Sequence, residues 1–311
     1  MQIYFRTVPI YFWIFTIWCM SKVYQYMFNE DQTIWELIWK KSLKLFGDDE
    51  YSLFVNGILA TSTIVLVSLM TIYSIFDFTL KPDFIRKYKI NPKSNEPPDV
   101  KKFMKVLLCA SFTGVFLTKP GFMAVYYAFK WRGFPNIHIL PNITTVMITC
   151  FINDHIYDIA NYTVHRTLHH KLLYKHIHKM HHEFISSIAI ALIHAHPIEH
   201  LFSNIFPIAI VPFVLRCHIS TAWIWVMVLL ASSIIEHSGY HLPFINSTEF
   251  HDFHHVKFDS NYSTLGLMDR IFGTDKAYRN SINAKRDKLL LSFKSTRELY
   301  PDEDSKVMKN Q

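Results

Sequence analysis

The chain has 311 residues, of which half are hydrophobic and only 18% are charged, and its formal net charge is +7. This composition is too apolar for an ordinary soluble protein. The charge does not indicate nucleic-acid binding, because the basic residues flank apolar stretches and no aromatic–basic module of an RNA or DNA reader appears. The four cysteines lie scattered in apolar segments without a CxxC pair, which argues against a disulfide framework or a cysteine-bound zinc ion.

The N-terminal part of the chain is predicted to anchor it in a membrane and to end in a basic connector. Residues 8–20 predict a short apolar anchor or interfacial helix, and residues 34–44 predict an amphipathic helix near the membrane surface. Residues 51–76 contain no charge, and this stretch is long enough to cross a hydrocarbon core. The connector 81–105 contains eight Lys or Arg against three acidic residues, so the positive-inside tendency places it in the cytosol.

Two apolar hairpins are predicted to follow the connector. The first joins 106–129 to 139–152, with an interruption at Lys119-Pro120-Gly121, and the second joins 201–215 to 219–235. Each hairpin leaves one side of the membrane and returns to it. The segments that follow the hairpins are therefore expected on the cytosolic side, together with the connector.

This organisation predicts an all-α integral membrane protein with about two helical hairpins and a cytosolic helical cap. Residues 1–102 are assigned to the membrane anchor and the basic connector. Residues 103–275 are assigned to a catalytic domain made of the hairpins and the cap. Residues 276–311 are assigned to a polar C-terminal tail, expected as a surface helix or a partly loose segment.

The cap is expected to hold metal, because all 18 histidines lie between His138 and His255 and most fall in four dense groups. Residues at i, i+3 and i+4 of a helix share one face, so a helical HxxHH group presents three imidazoles to one side. Imidazole suits iron, zinc, copper and nickel, and a single ion rarely needs more than a handful of ligands, so we predict two metal ions. The groups read His165-Arg-Thr-Leu-His169-His170, His178-Lys-Met-His181-His182, His237-Ser-Gly-Tyr-His241 and His251-Asp-Phe-His254-His255.

Other polar residues near these groups are weaker candidates. His196 precedes a proline and is predicted to turn the chain, with a metal-ligand role as the less favoured alternative. Acidic residues could fix the imidazole tautomers, or could equally be helix caps or surface acids. The candidates are Asp154, Asp158, Glu183, Glu236 and Asp252.

An all-nitrogen iron site with open positions could activate O₂ and attack a C–H bond, and beside a membrane it would meet lipids. The histidine groups resemble the histidine boxes of the membrane fatty acid hydroxylase/sterol desaturase superfamily, from about Asn153 to Asp275. The segments His178–Glu183, His237–Tyr240 and Asp269–Asp275 are similar to the C-4 methylsterol oxidase branch. The segments Ala195–His200, Gly239–Phe244, Glu249–Asp252, Lys81–Phe84 and Asn95–Pro97 resemble a further subgroup of the superfamily.

The resemblance implies a multi-pass enzyme of the endoplasmic reticulum with a cytosolic non-haem diiron centre. It also implies O₂ as oxidant and electrons from NAD(P)H through cytochrome b5 and its reductase. The ten-histidine pattern of fatty acid 2-hydroxylases in the superfamily favours His170 over His169, whereas methylsterol oxidases usually have aspartate at the position of His241. That pattern implies, as metal ligands, His165, His170, His178, His181, His182, His237, His241, His251, His254 and His255.

The expected activity is oxidation of a membrane sterol in sterol biosynthesis. Within the superfamily, hydroxylation or desaturation of a fatty acyl chain or sphingolipid is the alternative. Outside it, a histidine-rich metal transporter would carry polar residues within its spans, whereas the histidine groups here fall between spans. An inactive sterol-binding scaffold remains a further alternative, although all ten ligand positions are intact.

Overall fold

The computed structural model describes residues 8–28, 32–91, 96–185 and 187–302. The first residues of the anchor region, the part of the connector that includes Asn95, and the end of the tail lie outside the described residues. All named elements of the described chain are helical, and the isolated antiparallel bridge between Lys89 and Tyr240 is its only β-type pairing. The all-α prediction is therefore confirmed.

Two helices precede the first span, α1 (Val8–Phe28) and α2 (Ile34–Leu45). A capping box fixes the start of α2, because the Thr33 hydroxyl accepts from the N–H of Glu36 and the Glu36 carboxylate accepts from the N–H of Thr33. The predicted helix at 34–44 is confirmed. Trp39 is its buried residue, and its indole donates to the carbonyl of Ile137 at 2.8 Å.

Four helices of the described chain are long and apolar enough to cross a membrane, as expected of an integral membrane protein. In the most apolar 18-residue stretch of the last of these helices 72% of the residues are buried within the protein, against 17–33% in the corresponding stretches of the other three, so it is the central helix of the bundle. The four are Ser52–Thr79, Val100–Arg132, Pro197–Leu215 and Ile219–Ser238.

Three of these helices contain a π-helical segment. Residues 52–57 lead into α3 (Ile58–Thr79), residues 114–118 join α5 (Val100–Thr113) to α6 (Lys119–Arg132), and residues 200–205 lead into α10 (Phe206–Leu215). The interruption predicted at Lys119-Pro120-Gly121 is thus a π-helical turn within a continuous helix. Proline lacks a backbone N–H and crowds the preceding turn, and the wider turn accommodates it.

The return arm of the first hairpin is α7 (Ile143–Leu168), and the central helix is α11 (Ile219–Ser238). Helix α7 starts at Ile143 rather than at Ile139, because Pro141 precedes the cap residue Asn142, whose side chain accepts from the N–H of Thr145 at 2.8 Å. It continues to Leu168 and so carries the first histidine group on its last turn.

One end of the bundle gathers the loops that join the helices. The indole of Trp223 donates to the carbonyl of Leu53 at 3.1 Å, and the guanidinium of Arg132 donates to the carbonyl of Val214 at 2.9 Å. The other end gathers the C-termini of α3, α7 and α11 and the N-terminus of α5. All four histidine groups lie at this second end, so the expectation that they share one side of the bundle is met.

Short elements at this second end form a unit that we call the cap. Residues 178–183 and 189–193 are 3₁₀ turns. The described part of the predicted tail forms three short helices on the cap, and the buried Arg286 donates to the carbonyl of Tyr300 at 2.6 Å. The short helices are α4 (Asp83–Arg86), α8 (Lys171–Tyr174), α9 (Pro197–Glu199), α12 (Glu249–Lys257), α13 (Leu267–Phe272), α14 (Lys276–Arg279), α15 (Ile282–Arg286) and α16 (Thr296–Leu299).

The basic connector is tied to the cap by Lys89. This lysine is buried, and its ammonium group lies 2.8 Å from Oδ1 of Asp77 and 3.0 Å from the carbonyl oxygens of both Ser187 and Ser238. The neighbouring Gly239 ends α11 at φ +70°, and a Cβ atom there would lie 2.7 Å from the carbonyl oxygen of Ser187. Glycine is required at this position both for its conformation and for the close approach.

Candidate metal centre

The cap brings nine imidazoles together in two adjacent groups. In each group, one nitrogen of every ring lies within 4.8 Å of the corresponding nitrogens of the others. The groups touch, since the ring centroids of His182 and His255 are 4.7 Å apart. The first cluster consists of His165, His169, His178, His182 and His254, and the second cluster consists of His181, His237, His251 and His255.

Helix ends and one short turn supply these rings. The last turn of α7 contributes to the first cluster and the last turn of α11 to the second, while the 3₁₀ turn 178–183 and helix α12 contribute to both. On α12, His251 and His255 are four residues apart and share the face toward the second cluster, whereas His254 reaches the first. The second histidine group is a 3₁₀ turn rather than the α-helix considered for it.

Two of the ten histidines in the expected pattern lie outside both clusters. Helix α7 ends at Leu168, so His169 is still directed into the first cluster, whereas His170 is extended and caps α8 by accepting from the N–H of Leu172 at 3.4 Å. The structure thus brings His169, rather than the expected His170, into the first cluster, and which of them binds metal stays a prediction. Since the left-handed Gly239 ends α11, His241 is not one helical turn beyond His237, and its Nε2 lies 2.9 Å from the carbonyl oxygen of Lys288.

Backbone carbonyls fix the tautomer of several clustered rings. Nδ1 of His165 lies 2.7 Å from the carbonyl oxygen of Tyr262, and Nδ1 of His254 lies 2.7 Å from that of Ser260. Nδ1 of His237 lies 2.8 Å from the carbonyl oxygen of residue 233 in its own helix. A carbonyl oxygen only accepts hydrogen bonds, so each of these rings donates through Nδ1–H and keeps a lone pair on Nε2.

Glu199 fixes a fourth ring, and it was missed from the sequence. Its Oε1 lies 2.8 Å from Nδ1 of His178, and both side chains are buried. A carboxylate in this position holds the imidazole in the Nδ1–H tautomer and increases the basicity of Nε2. The only sequence signal was a carboxylate two residues after Pro197, between His196 and His200.

The fixed tautomers direct lone pairs at one another, so the short contacts between rings are not all hydrogen bonds. Nε2 of His165 lies 3.1 Å from Nε2 of His178, although both atoms are acceptors by the argument above. Nε2 of His251 lies 2.9 Å from Nε2 of His237, and Nε2 of His254 is buried without a hydrogen-bond partner among the described residues. Converging lone pairs repel one another unless a cation lies between them, so the donor set fits metal binding in both clusters.

Burial keeps the rings neutral. Desolvation, together with the neighbouring rings of His165 and His255, lowers the pKa of His169 to about 2. Desolvation also lowers the pKa of His178, His254 and His255 well below the usual value for histidine. Neutral imidazoles are the form that binds metal, so the rings are available as ligands at physiological pH.

The loop after α12 orients two of the cluster rings through its carbonyls, and two buried acids hold that loop. Asp269 accepts from the N–H of Tyr262 at 2.9 Å and of Ser263 at 2.7 Å. Asp158, one of the candidate partners of the histidines, accepts from the N–H of Leu265 at 2.6 Å. Both carboxylates act on the clusters through this loop rather than by contacting an imidazole.

The other candidate acids have partners of their own. Glu183 is half exposed and lies 3.1 Å from Nε2 of His194, and Asp252 accepts from the hydroxyl of Ser187 at 2.7 Å. Asp154 accepts from the indole of Trp225 at 2.9 Å. His196, the less favoured ligand candidate, caps α9 by accepting from the N–H of Ile198 at 3.2 Å and lies outside both clusters.

A cavity of about 80 Å³ opens beside the clusters, between α7, the π-helical turn 200–205 and α11. Much of its lining is polar although it lies among apolar helices. The hydroxyl of Ser203 there is buried and has no hydrogen-bond partner among the described residues. Besides histidines, its polar lining includes Tyr157, Asn161, Asn204, Ser233 and Glu236.

Comparison with known proteins finds one matching family profile and several similar proteins. The fatty acid hydroxylase profile matches residues 147–274. The fatty acid hydroxylase domain-containing protein 2 of Homo sapiens is 33% identical over 95% of this chain and 88% of its own length. The methylsterol monooxygenase 1 of Gallus gallus is 36% identical over 68% of this chain and 74% of its own length. The fatty acid hydroxylase ahd1 of Mycosarcoma maydis is 34% identical over 71% of this chain and 57% of its own length. No solved structure matches the chain.

Proposed function

Because the chain belongs to the fatty acid hydroxylase family, we propose that it is a membrane-bound non-haem diiron monooxygenase that uses O₂ to oxidise a C–H bond of a membrane lipid. The substrate class that we propose is a C-4 methylsterol. The observation that carries the proposal is the convergence of nine neutral imidazoles, seven of them buried and two half-buried, at one end of a membrane bundle.

The first cluster would hold one iron ion and the second cluster the other. Bound iron supplies the redox chemistry that activates O₂. The chain's own residues orient the ligands: Glu199 holds the Nδ1–H of His178 and the loop carbonyls hold those of His165 and His254, so that Nε2 of these three rings stays unprotonated. The surrounding protein excludes bulk water from the rings.

The reaction needs reducing equivalents as well as O₂. One oxygen atom enters the lipid and the other leaves as water, which requires two electrons and two protons. We propose that NAD(P)H supplies the electrons through cytochrome b5 and its reductase. The basic connector lies at the cap end of the bundle, which supports a cytosolic catalytic face, and the endoplasmic reticulum membrane is the proposed location.

The cavity supports a substrate with a polar group close to the oxidised carbon. Its hydroxyl, amide and carboxyl groups lie beside the clusters, between α7, the π-helical turn 200–205 and α11. A sterol with a hydroxyl next to its C-4 methyl group has that chemistry, and so does a fatty acyl chain oxidised next to its carbonyl. The similarity to a methylsterol monooxygenase favours the sterol. His241 contacts Lys288 rather than a cluster, so the departure from aspartate at this position leaves the centre unchanged.

Elemental analysis of the purified protein tests the metal centre. We expect about two iron ions per chain, one for each cluster, and a loss of iron in His181→Ala. Less than about one iron per chain, together with no loss in the variant, would contradict the proposal. A variant at the solvent-exposed His176 is the matched control and should retain its iron.

Lipid profiling of cells with and without the intact His178–His182 group tests the substrate. Accumulated 4-methylsterols on loss of the group would support sterol oxidation. Loss of 2-hydroxyacyl chains would instead support the alternative of a fatty acyl or sphingolipid hydroxylase, which the similarity to fatty acid hydroxylase ahd1 keeps open. Loss of an unsaturated lipid would indicate desaturation. The clusters lie at helix ends rather than at the middle of the spans, which disfavours a transporter.

A further inference from the structure

The C-terminal region contains an apolar ridge in a segment expected to be polar. Leu289, Leu291 and Phe293 are 45%, 75% and 74% exposed, whereas Leu290 between them is only 3% exposed. Residues 289–291 contain no turn, so Leu289 and Leu291 point away from the side of the buried Leu290, and Phe293 continues the exposed apolar run beyond the bend at residue 292. We call these three residues the apolar ridge.

Contacts on the inner side hold this segment against the cap. The carbonyl of Leu290 accepts from the N–H of Phe244 at 2.9 Å, and the carbonyl of Lys288 lies 2.9 Å from Nε2 of His241. His241 therefore has a structural partner here in place of a metal. The ridge is thus a fixed surface of the cap.

Two further contacts place the ridge where helices leave the membrane. The carbonyl of Phe293 accepts from the hydroxyl of Tyr88 and from the ammonium of Lys87, each at 2.7 Å, and both donors lie in the connector just after α3 ends at Thr79. On the other side, the Phe293 ring lies 5.9 Å from the ring of Phe244.

Phe244 continues the apolar surface to helix α1. Its carbonyl accepts from the indole of Trp13 at 3.4 Å. The outer face of α1 exposes large apolar side chains, including Phe12 at 59% and Ile17 at 60%. Trp13 thus brings α1, with its exposed apolar side chains, next to Phe244 and the ridge.

We propose that the apolar ridge inserts into the bilayer surface on the cap side, as a monotopic anchor that holds the catalytic cap against the membrane. Large apolar chains at a membrane boundary with lysines beside them are typical of interfacial segments, and the lysines interact with anionic headgroups. Lys87, Lys288 and Lys294 are exposed at the ridge and provide this charge. The proposed anchor does not depend on which lipid the enzyme oxidises, so it is independent of the proposed reaction.

Spin-label accessibility in nanodiscs that each hold one copy of the protein tests this anchor. Cysteine is introduced by Leu291→Cys or Phe293→Cys in a background with the four native cysteines replaced by alanine and iron content unchanged. Val67→Cys, at an exposed position of α3, is the lipid-facing control, and Lys285→Cys, at an exposed position of α15, is the water-facing control. Each label is compared with its own spectrum under nitrogen.

We expect the two ridge labels to behave like Val67→Cys, with strong broadening by dissolved oxygen and little by a water-soluble nickel chelate. Accessibility to the chelate equal to that of Lys285→Cys would overturn the proposal, because the ridge would then face water. Low accessibility to both reagents would also overturn it, because the ridge would then be covered by protein. Each nanodisc holds one copy, so a second copy cannot produce protection that resembles lipid contact.

Discussion

Oε1 of Glu199 and Nδ1 of His178 lie 2.8 Å apart, with both side chains buried. Glu199 is in the first turn of the helix that starts the second hairpin, whereas His178 begins the 3₁₀ turn after α7. The contact therefore joins the membrane bundle to the first cluster. Glu199 fixes the tautomer of His178 through a carboxylate, whereas backbone carbonyls fix the tautomers of His165, His237 and His254.

Glu199→Gln should weaken metal binding, because the amide removes the negative charge that holds Nδ1–H and makes Nε2 basic. Loss of such a partner typically costs about 10- to 100-fold in metal affinity. The measurement is the iron retained by the purified protein under increasing chelator concentration. Glu183→Gln is the control, since Glu183 is half exposed and pairs with His194, and it should retain iron like the parent protein. Equal retention in both variants would contradict the role given to Glu199.

His169→Ala should remove iron from the first cluster, whereas His170→Ala should not. The reason is that α7 ends at Leu168 and directs only His169 into the cluster. Iron analysis of the two variants, made in parallel, distinguishes them. We expect about half of the iron to be lost in the first variant and almost none in the second. Iron loss in His170→Ala but not in His169→Ala would contradict this prediction. It would favour His170 as the ligand, as in the ten-histidine pattern of the fatty acid 2-hydroxylases.

Asp269→Asn should destabilise the loop that orients His165 and His254. The carboxylate accepts from two backbone N–H groups and from the Ser263 hydroxyl at 2.8 Å, and an amide cannot satisfy all of these buried donors. An unsatisfied buried donor costs about 1–3 kcal/mol, so the free energy of unfolding and the iron content should both fall. Asp259→Asn, at an exposed position of the same loop, should leave thermal unfolding and iron content unchanged.

The metal-free protein should lose stability as the pH falls below about 6.5, the ordinary value for histidine. Burial lowers the pKa of His169 to about 2 and those of His178 and His254 well below the usual value, so below pH 6.5 the unfolded chain binds protons that the folded chain does not. Each such ring then removes up to about 1.4 kcal/mol per pH unit, and above that pH its contribution is constant.

Thermal unfolding of the chelated protein in detergent, at pH values on both sides of this point, measures the effect. The apparent melting temperature should be level at neutral pH and fall on acidification. A melting temperature that rises on acidification would contradict this expectation.

Much of the architecture could be predicted because it follows from apolar length and from charge. All of the uncharged stretch 51–76 except its first residue lies in an observed helix, Ser52–Thr79. The even number of crossings in each predicted hairpin correctly placed the histidine groups at the same end of the bundle. The HxxHH spacing identified every ring of the second and fourth groups, even though only the fourth is α-helical. Spacing was sufficient for these two groups because residues three and four apart lie close together in space in both a 3₁₀ turn and an α-helix.

The remaining details depend on where helices end, and periodicity does not determine that. His169 and His170 are adjacent, and the end of α7 decides which of them is directed inward. The glycine within His237-Ser-Gly-Tyr-His241 was the available signal that α11 ends before His241. Glu199 was missed because its partner lies 21 residues away in the chain and is brought close only by the tertiary fold. The apolar run within 288–294 was hidden by the polar composition around it.

Both clusters draw on α12, since His254 belongs to the first and His251 and His255 belong to the second. This helix begins at Glu249, after every membrane-crossing segment identified in the described chain. During synthesis, neither metal pocket can be completed until the ribosome has passed the final span. Loading of the proposed iron ions would consequently be a late step in biogenesis, and a chain truncated before Glu249 would lack the α12 histidines that both clusters need.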